Sequence, residues 1–184
     1  MAVSPHSLLS VDGFNPPTPT YPEGLGGFAT VGFLLDFESL LASQAWTVNP
    51  ANGDFIALCQ IPVGAQIHGV VVKVITALAD TLGTGTILGQ VGDYSAITGT
   101  GTAIDLDGYT AVTTGSDLTT VATYASSTSE AYMQASKVYA SAAYLCLTFS
   151  GTAVDIISGK LWIAAKMSQM VFPDLTTLAP STWH

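Results

Sequence analysis

Residues 53–76 read GDFIALCQIPVGAQIHGVVVKVIT. In the first apolar run, Phe55, Ala57, Cys59 and Ile61 fall on one face, with Ile56, Leu58 and Gln60 on the other. In the second, Val70, Val72 and Val74 share a face, and Val71, Lys73 and Ile75 share the opposite one. Period-two placement of β-branched residues, bounded by Pro and Gly, predicts two strands with a connection between them. The Pro62-Val63-Gly64-Ala65 segment predicts a rigid corner where the chain turns between core strands.

Working outward, the same alternation recurs. Phe33, Leu35, Phe37 and Ser39 line up on one face, which predicts a strand followed by a helical turn over 39–43. Residues 49–53 (NPANG) predict a turn. Residues 86–92 predict a short strand, and Leu145, Leu147 and Phe149 alternate with Tyr144, Cys146 and Thr148 in another. Residues 154–157 read as an edge or connecting piece. Gly159 then opens a last strand over 160–167, with Leu161, Ile163, Ala165 and Met167 against Trp162, Ala164, Lys166 and Ser168. The polar stretch 93–108 is expected to be a long loop, 109–114 a strand, and 115–129 a further Ser/Thr-rich loop. Roughly seven to nine short strands with Gly-rich turns and weak helix signals predict an all-β chain, a jelly-roll-like antiparallel β-sandwich.

Composition divides the chain into three parts. Residues 1–30 hold Pro5, Pro16, Pro17, Pro19 and Pro22 among Gly and Thr, with apolar anchors Leu8, Leu9, Val11, Phe14, Tyr21 and Phe28. Proline-rich chain is stiff and extended, and an extended segment that carries anchors is expected to dock on something. We assign 1–30 as an N-terminal arm, 31–170 as the sandwich domain and 171–184 as a tail. Pro16, Pro17, Pro19, Tyr21 and Phe28 are the candidate docking residues of the arm.

The 184 residues carry a net charge of -9, and only 9% of them are charged. There is no arginine, and the four cations, Lys73, Lys137, Lys160 and Lys166, are scattered along the sequence. No basic stripe is present for a phosphate backbone, so nucleic acid is not an expected partner. No run of about 18 apolar residues suits a membrane span, and no signal peptide is read at the N-terminus. A mean hydropathy of +0.46 is high for a soluble monomer and points to surface hidden in an assembly.

Chemistry is sparse. His6, His68 and His184 lie far apart, so no metal site is read, and His68 is expected to be a strand residue with a satisfied ring. Asp105-Leu106-Asp107-Gly108 resembles the start of a calcium loop but lacks the closing Glu, and reads as a polar turn. Gly83-Thr84-Gly85-Thr86 lacks the Lys of a phosphate loop and reads as a β-turn. Paired carboxylates could face across a cleft, for example Asp93 with Asp105 or Asp107. No nucleophile has a partner base, and no catalytic or cofactor-binding residue is assigned; the chain is not expected to be an enzyme. Cys59 and Cys146 sit in apolar runs, where free thiols behave as small hydrophobes, and two cysteines alone do not establish a bridge. Tyr94, Tyr109, Tyr124, Tyr132, Tyr139 and Tyr144 could supply a sugar platform, or pack half-buried on strands.

Several turns and strands together resemble a known group. Leu35-Asp36-Phe37, Gly53-Asp54, Ile61-Pro62-Val63-Gly64-Ala65 followed by Val70-Val71-Val72, and Leu88-Gly89-Gln90-Val91-Gly92-Asp93 are similar to segments of head decoration (cement) and other small virion proteins of tailed bacteriophages. Residues 143–151 and Gly159-Lys160-Leu161 continue the likeness, which spans about residues 31–169. The resemblance implies a jelly-roll domain on the outer surface of an icosahedral head, made in the host cytoplasm. It also implies a homotrimer that binds the major capsid protein and clamps neighbouring capsomers. A tail, fibre or receptor-binding module that contacts host glycans is the alternative.

Overall fold

A computed structural model of the chain describes residues 6–7, 28–42, 49–96, 103–110, 117–125, 137–152 and 155–169. The strands in order are β1 (His6–Ser7), β2 (Phe28–Asp36), β3 (Phe55–Ile61), β4 (Ala65–Asp80), β5 (Ile87–Tyr94), β6 (Ala103–Thr110), β7 (Thr123–Ala125), β8 (Ala143–Gly151) and β9 (Ile156–Gln169). One short helix, α1 (Phe37–Ala42), follows β2. One sheet has the order β2-β9-β4-β7 and the other β1-β3-β8-β5-β6. Strands β2 to β9 pair antiparallel throughout. Apart from β5 to β6, successive strands from β2 onward change sheet. The first and last of these eight strands lie side by side, as do the second and the seventh. That is the winding of a jelly roll, two antiparallel four-stranded sheets closed face to face. β1 adds a parallel edge to β3, with His6 opposite Ile56 and Ser7 opposite Ala57.

The corner at 62–65 joins the two sheets. Ala65 N–H donates to the Pro62 carbonyl at 3.1 Å, and Gly64 takes φ +78°. A positive φ at the third position of a four-residue turn is the glycine requirement of a type II turn. The chain therefore leaves β3 in one sheet and enters β4 in the other, as the Pro-Val-Gly-Ala corner predicts.

Val70, Val72 and Val74 are buried in the core, and Lys73 and Ile75 face out, so the alternation in β4 holds. In β3 it does not hold throughout. The register against β8 shifts between Ala57 and Cys59, a bulge that moves later residues to the other face. Cys59 and Ile61 join Ile56 and Leu58 in the main core, while Phe55 and Ala57 join Tyr94 and Cys146 in a separate cluster. Phe55 stacks on Tyr94 there at 4.1 Å between ring centroids. In the main core Phe37 meets Phe149 edge-on at 6.0 Å.

Four expectations are corrected. The helix starts at Phe37, two residues ahead of the expected turn, because Asp36 Oδ1 accepts the Ser39 N–H at 3.3 Å and caps it. Residues 105–108 are no turn: they lie inside β6, whose pairing with β5 sets Asp105 opposite Asp93. Residues 123–125 form β7 where a loop was expected, because Lys73, Val72 and Val71 of the long β4 offer an edge for it. Finally, β9 starts at Ile156 and runs through Gly159, which takes φ +114°. A Cβ at that position would come within 2.7 Å of the Ala77 carbonyl oxygen, so glycine permits the close approach of β9 to β4.

Candidate docking face

The outward face of the β2-β9-β4-β7 sheet is built from residues that alternate with the core. On β2, Leu34 stands between buried Phe33 and Leu35; on β9, Trp162 stands between buried Leu161 and Ile163. Register places Leu34 opposite Trp162, Trp162 opposite Lys73, and Lys73 opposite Thr123, so one row crosses all four strands. Leu34 is 56%, Ile75 44% and Trp162 39% exposed. Gly32 has no side chain to lift the indole: the position of its absent Cβ lies 3.4 Å from Trp162 Nε1, so the ring lies over the backbone of β2. The result is an apolar centre on an open sheet.

Cations surround that centre. Lys160 Nζ reaches Asp36 Oδ2 at 2.7 Å across the β2–β9 ladder, where the two residues are register partners. The Lys160 ammonium holds the Asp36 carboxyl below its ordinary range. Lys73 and Lys166 are exposed on the same face. At its other end His68 Nε2 and Ser168 Oγ are 2.6 Å apart, and partial burial together with nearby Lys166 lowers the His68 pKa. His68 is a strand residue with a partnered ring, as expected.

The opposite sheet differs. Phe55, Ala57, Tyr94 and Cys146 lie outside the inter-sheet core yet are buried, with Ala103 and Tyr144 packed against them. Cys59 and Cys146 belong to different clusters, on opposite faces of the β3–β8 pair, and both thiols are free. Burial pushes the Cys59 pKa up to about 12 and raises Cys146 as well.

Between the sheets lies a polar cluster. Asp93 is fully buried, and Lys137 Nζ sits 2.7 Å from its Oδ2 and 4.7 Å from the centre of the Tyr139 ring. The Tyr109 and Tyr139 hydroxyls are 2.6 Å apart. Burial raises both phenols far above their usual range; the bond to Tyr139 pulls Tyr109 partly back, while nearby Asp93 pushes both up. Asp93 and Asp105 are thus brought together across β5–β6, but Asp93 is sealed from solvent and ion-paired. The carboxylates do not flank a cleft.

Of the two readings of the tyrosines, packing holds for those in the core. Tyr94, Tyr109 and Tyr139 are 5%, 0% and 3% exposed and present no ring to a ligand. Tyr124 and Tyr144 are half-buried, and Tyr132 lies outside the described residues. Of the candidate arm residues, Pro16, Pro17, Pro19 and Tyr21 lie outside the described residues. Phe28 opens β2 opposite Ser168. Sequence reasoning placed Trp162 and Lys166 on the mixed face of the last strand but did not join them to Leu34 and Lys73. A Trp on the solvent side of an alternating strand was the available signal.

No protein-family model and no curated protein sequence matches the chain. Solved structures do. A chain in the capsid of Ralstonia phage GP4 superposes with TM-score 0.62 at 16% identity, over 91% of this chain and 99% of that one. A chain in the capsid asymmetric unit of cyanophage Pam1 superposes with TM-score 0.51 at 19% identity, over 84% of this chain and 93% of that one. At such identities the likeness is one of fold, and it is nearly end to end: the jelly roll described above is the fold of chains found in two phage capsids.

Proposed function

We propose that this chain is a structural protein of a phage virion, and that it decorates the outside of an assembled head, where it stabilises contacts between capsomers. The observation that carries the virion reading is the end-to-end match of its fold to a chain of the Ralstonia phage GP4 capsid. The sequence resemblance to head decoration proteins supports the finer role, as does an open, partly apolar sheet face on a chain poor in charge. In this reading the partners are the major capsid protein and further copies of the chain, arranged as a trimer, and the arm over 1–30, whose last three residues open β2, docks on the shell. Stabilisation works by mass action: a protein that binds only the assembled shell shifts the equilibrium toward it. Many copies add avidity without strong single contacts.

The test is location and occupancy. Labelled protein is expected on heads, and purified chain added to heads that lack it is expected to bind and raise their resistance to heat. Label confined to the tail would overturn the decoration role. A chain lacking residues 1–27, which leaves β2 whole, is expected to bind poorly; wild-type occupancy would remove the arm from the mechanism.

A further inference from the structure

We infer that the outward face of the β2-β9-β4-β7 sheet is a contact between copies of this chain, in which its basic, apolar centre receives the acidic end of a second copy. Three observations combine. First, the two outer faces of the sandwich are unlike. One holds the buried Phe55, Ala57, Tyr94 and Cys146 cluster, whereas the other leaves Leu34, Ile75 and Trp162 open around a single row.

Second, charge is segregated. Three of the four cations of the whole chain, Lys73, Lys160 and Lys166, lie on this one face; Lys160 is ion-paired with Asp36 and has Glu38 nearby, so Lys73 and Lys166 carry the positive charge of its centre. The fourth, Lys137, is committed to buried Asp93. With no arginine and a net charge of -9, the other charged side chains of the chain are carboxylates. Two such faces laid against each other would set lysine against lysine, so a two-fold, like-on-like contact is disfavoured. A heterologous contact sets the basic face of one copy on an acidic surface of the next, and such contacts close into rings or run on as chains.

Third, a matching surface exists. The end of the sandwich formed by the β4–β5 turn, the 117–121 segment and the start of β9 exposes Leu82 and Val121 beside Asp117 and Asp155. It is a built end: Thr81 N–H donates to the Asp155 carbonyl at 3.1 Å, and Leu78 N–H to the Leu118 carbonyl at 2.9 Å. An open pocket of about 410 Å³, lined in part by Asp80, Thr86, Asp117 and Thr119, lies at this end. Apolar and acidic groups there complement the apolar and basic groups of the sheet face.

The inference deepens the trimer element of the proposed function by naming the contacting surfaces, and it is tested without a phage head. Sedimentation equilibrium of the full chain is expected to show reversible association. Lys73→Glu, at an exposed position, and Asp117→Lys, which also gives up the turn bonds that Asp117 accepts from the Thr119 N–H and hydroxyl, are each expected to weaken it by about tenfold or more, and Trp162→Glu to abolish it. The double variant Lys73→Glu/Asp117→Lys restores the charge pairing and is expected to recover association. Unchanged melting of each variant separates loss of contact from loss of fold. A monomeric wild-type chain, association that survives Trp162→Glu, or a double variant no better than the singles would overturn the inference. A chain that is monomeric in solution but loses head binding on Trp162→Glu would assign the face to the shell. That outcome overturns the inference while leaving the decoration role standing.

Discussion

Lys137 closes on Asp93 at 2.7 Å, and the carboxylate it meets has no solvent-exposed surface. The pair ties the segment before β8 to β5, inside the sandwich. Removing the cation leaves a buried charge without its ionic partner, which is costly in a low-dielectric interior. Lys137→Met is therefore expected to destabilise the fold by about 3 kcal/mol, read from urea denaturation. Lys137→Met combined with Asp93→Leu is expected to recover most of that loss, because the pair is then replaced by apolar volume.

Asp105 stands opposite Asp93 across β5–β6. Burial raises its pKa, and hydrogen bonding with Asp107 raises it further. A carboxyl whose pKa is higher folded than unfolded binds its proton more tightly in the folded state. Its charged form is then a cost above the folded pKa, and the cost disappears as pH falls toward the unfolded value. Asp105→Asn is expected to raise the melting temperature at neutral pH, by an amount equivalent to less than about 1 kcal/mol for a group this near solvent. The gain should vanish near pH 3. A gain that persists there would point to packing rather than ionisation.

Gly159 adopts φ +114° within β9, against the backbone of β4. Gly159→Ala adds both left-handed strain and a clash with the Ala77 carbonyl, and is expected to cost about 2 kcal/mol or more in thermal denaturation. Gly53→Ala, at φ +90° with open space around it, serves as the comparison and is expected to cost less.

Cys59 and Cys146 are buried with raised thiol pKa values. Because the thiolate is the reactive form, neither is expected to react with a thiol reagent at neutral pH while the chain is folded, and both should react in denaturant. Oxidation is not expected to bridge them, since they belong to opposite faces of the β3–β8 pair.

The sheet strands were legible where alternation is strong. Val70, Val72 and Val74, and Leu161, Ile163, Ala165 and Met167, read directly as core faces, because a half-buried strand repeats every two residues. Strand β7 and most of β6 were not: Asp105, Asp107 and Gly108 break the apolar pattern of β6, which the expected 109–114 strand meets only at Tyr109 and Thr110, and the three residues of β7 are too short a window to show a period. They are held as strands by the edges offered by β5 and β4, a non-local cause that no window of sequence contains. The bulge between Ala57 and Cys59 belongs to the same class: one extra residue reverses a face without altering the composition.

For the candidate face the division is similar. The sequence by itself determined a β-sandwich, an acidic chain with four cations, and a corner at Pro62-Val63-Gly64-Ala65, since turn chemistry and period-two patterning are local properties. Only the tertiary structure decided that Leu34, Trp162, Lys73, Lys160 and Lys166 share one surface. They come from three strands far apart in the chain, and sheet register, which depends on pairing across the whole roll, brings them into adjacent rows.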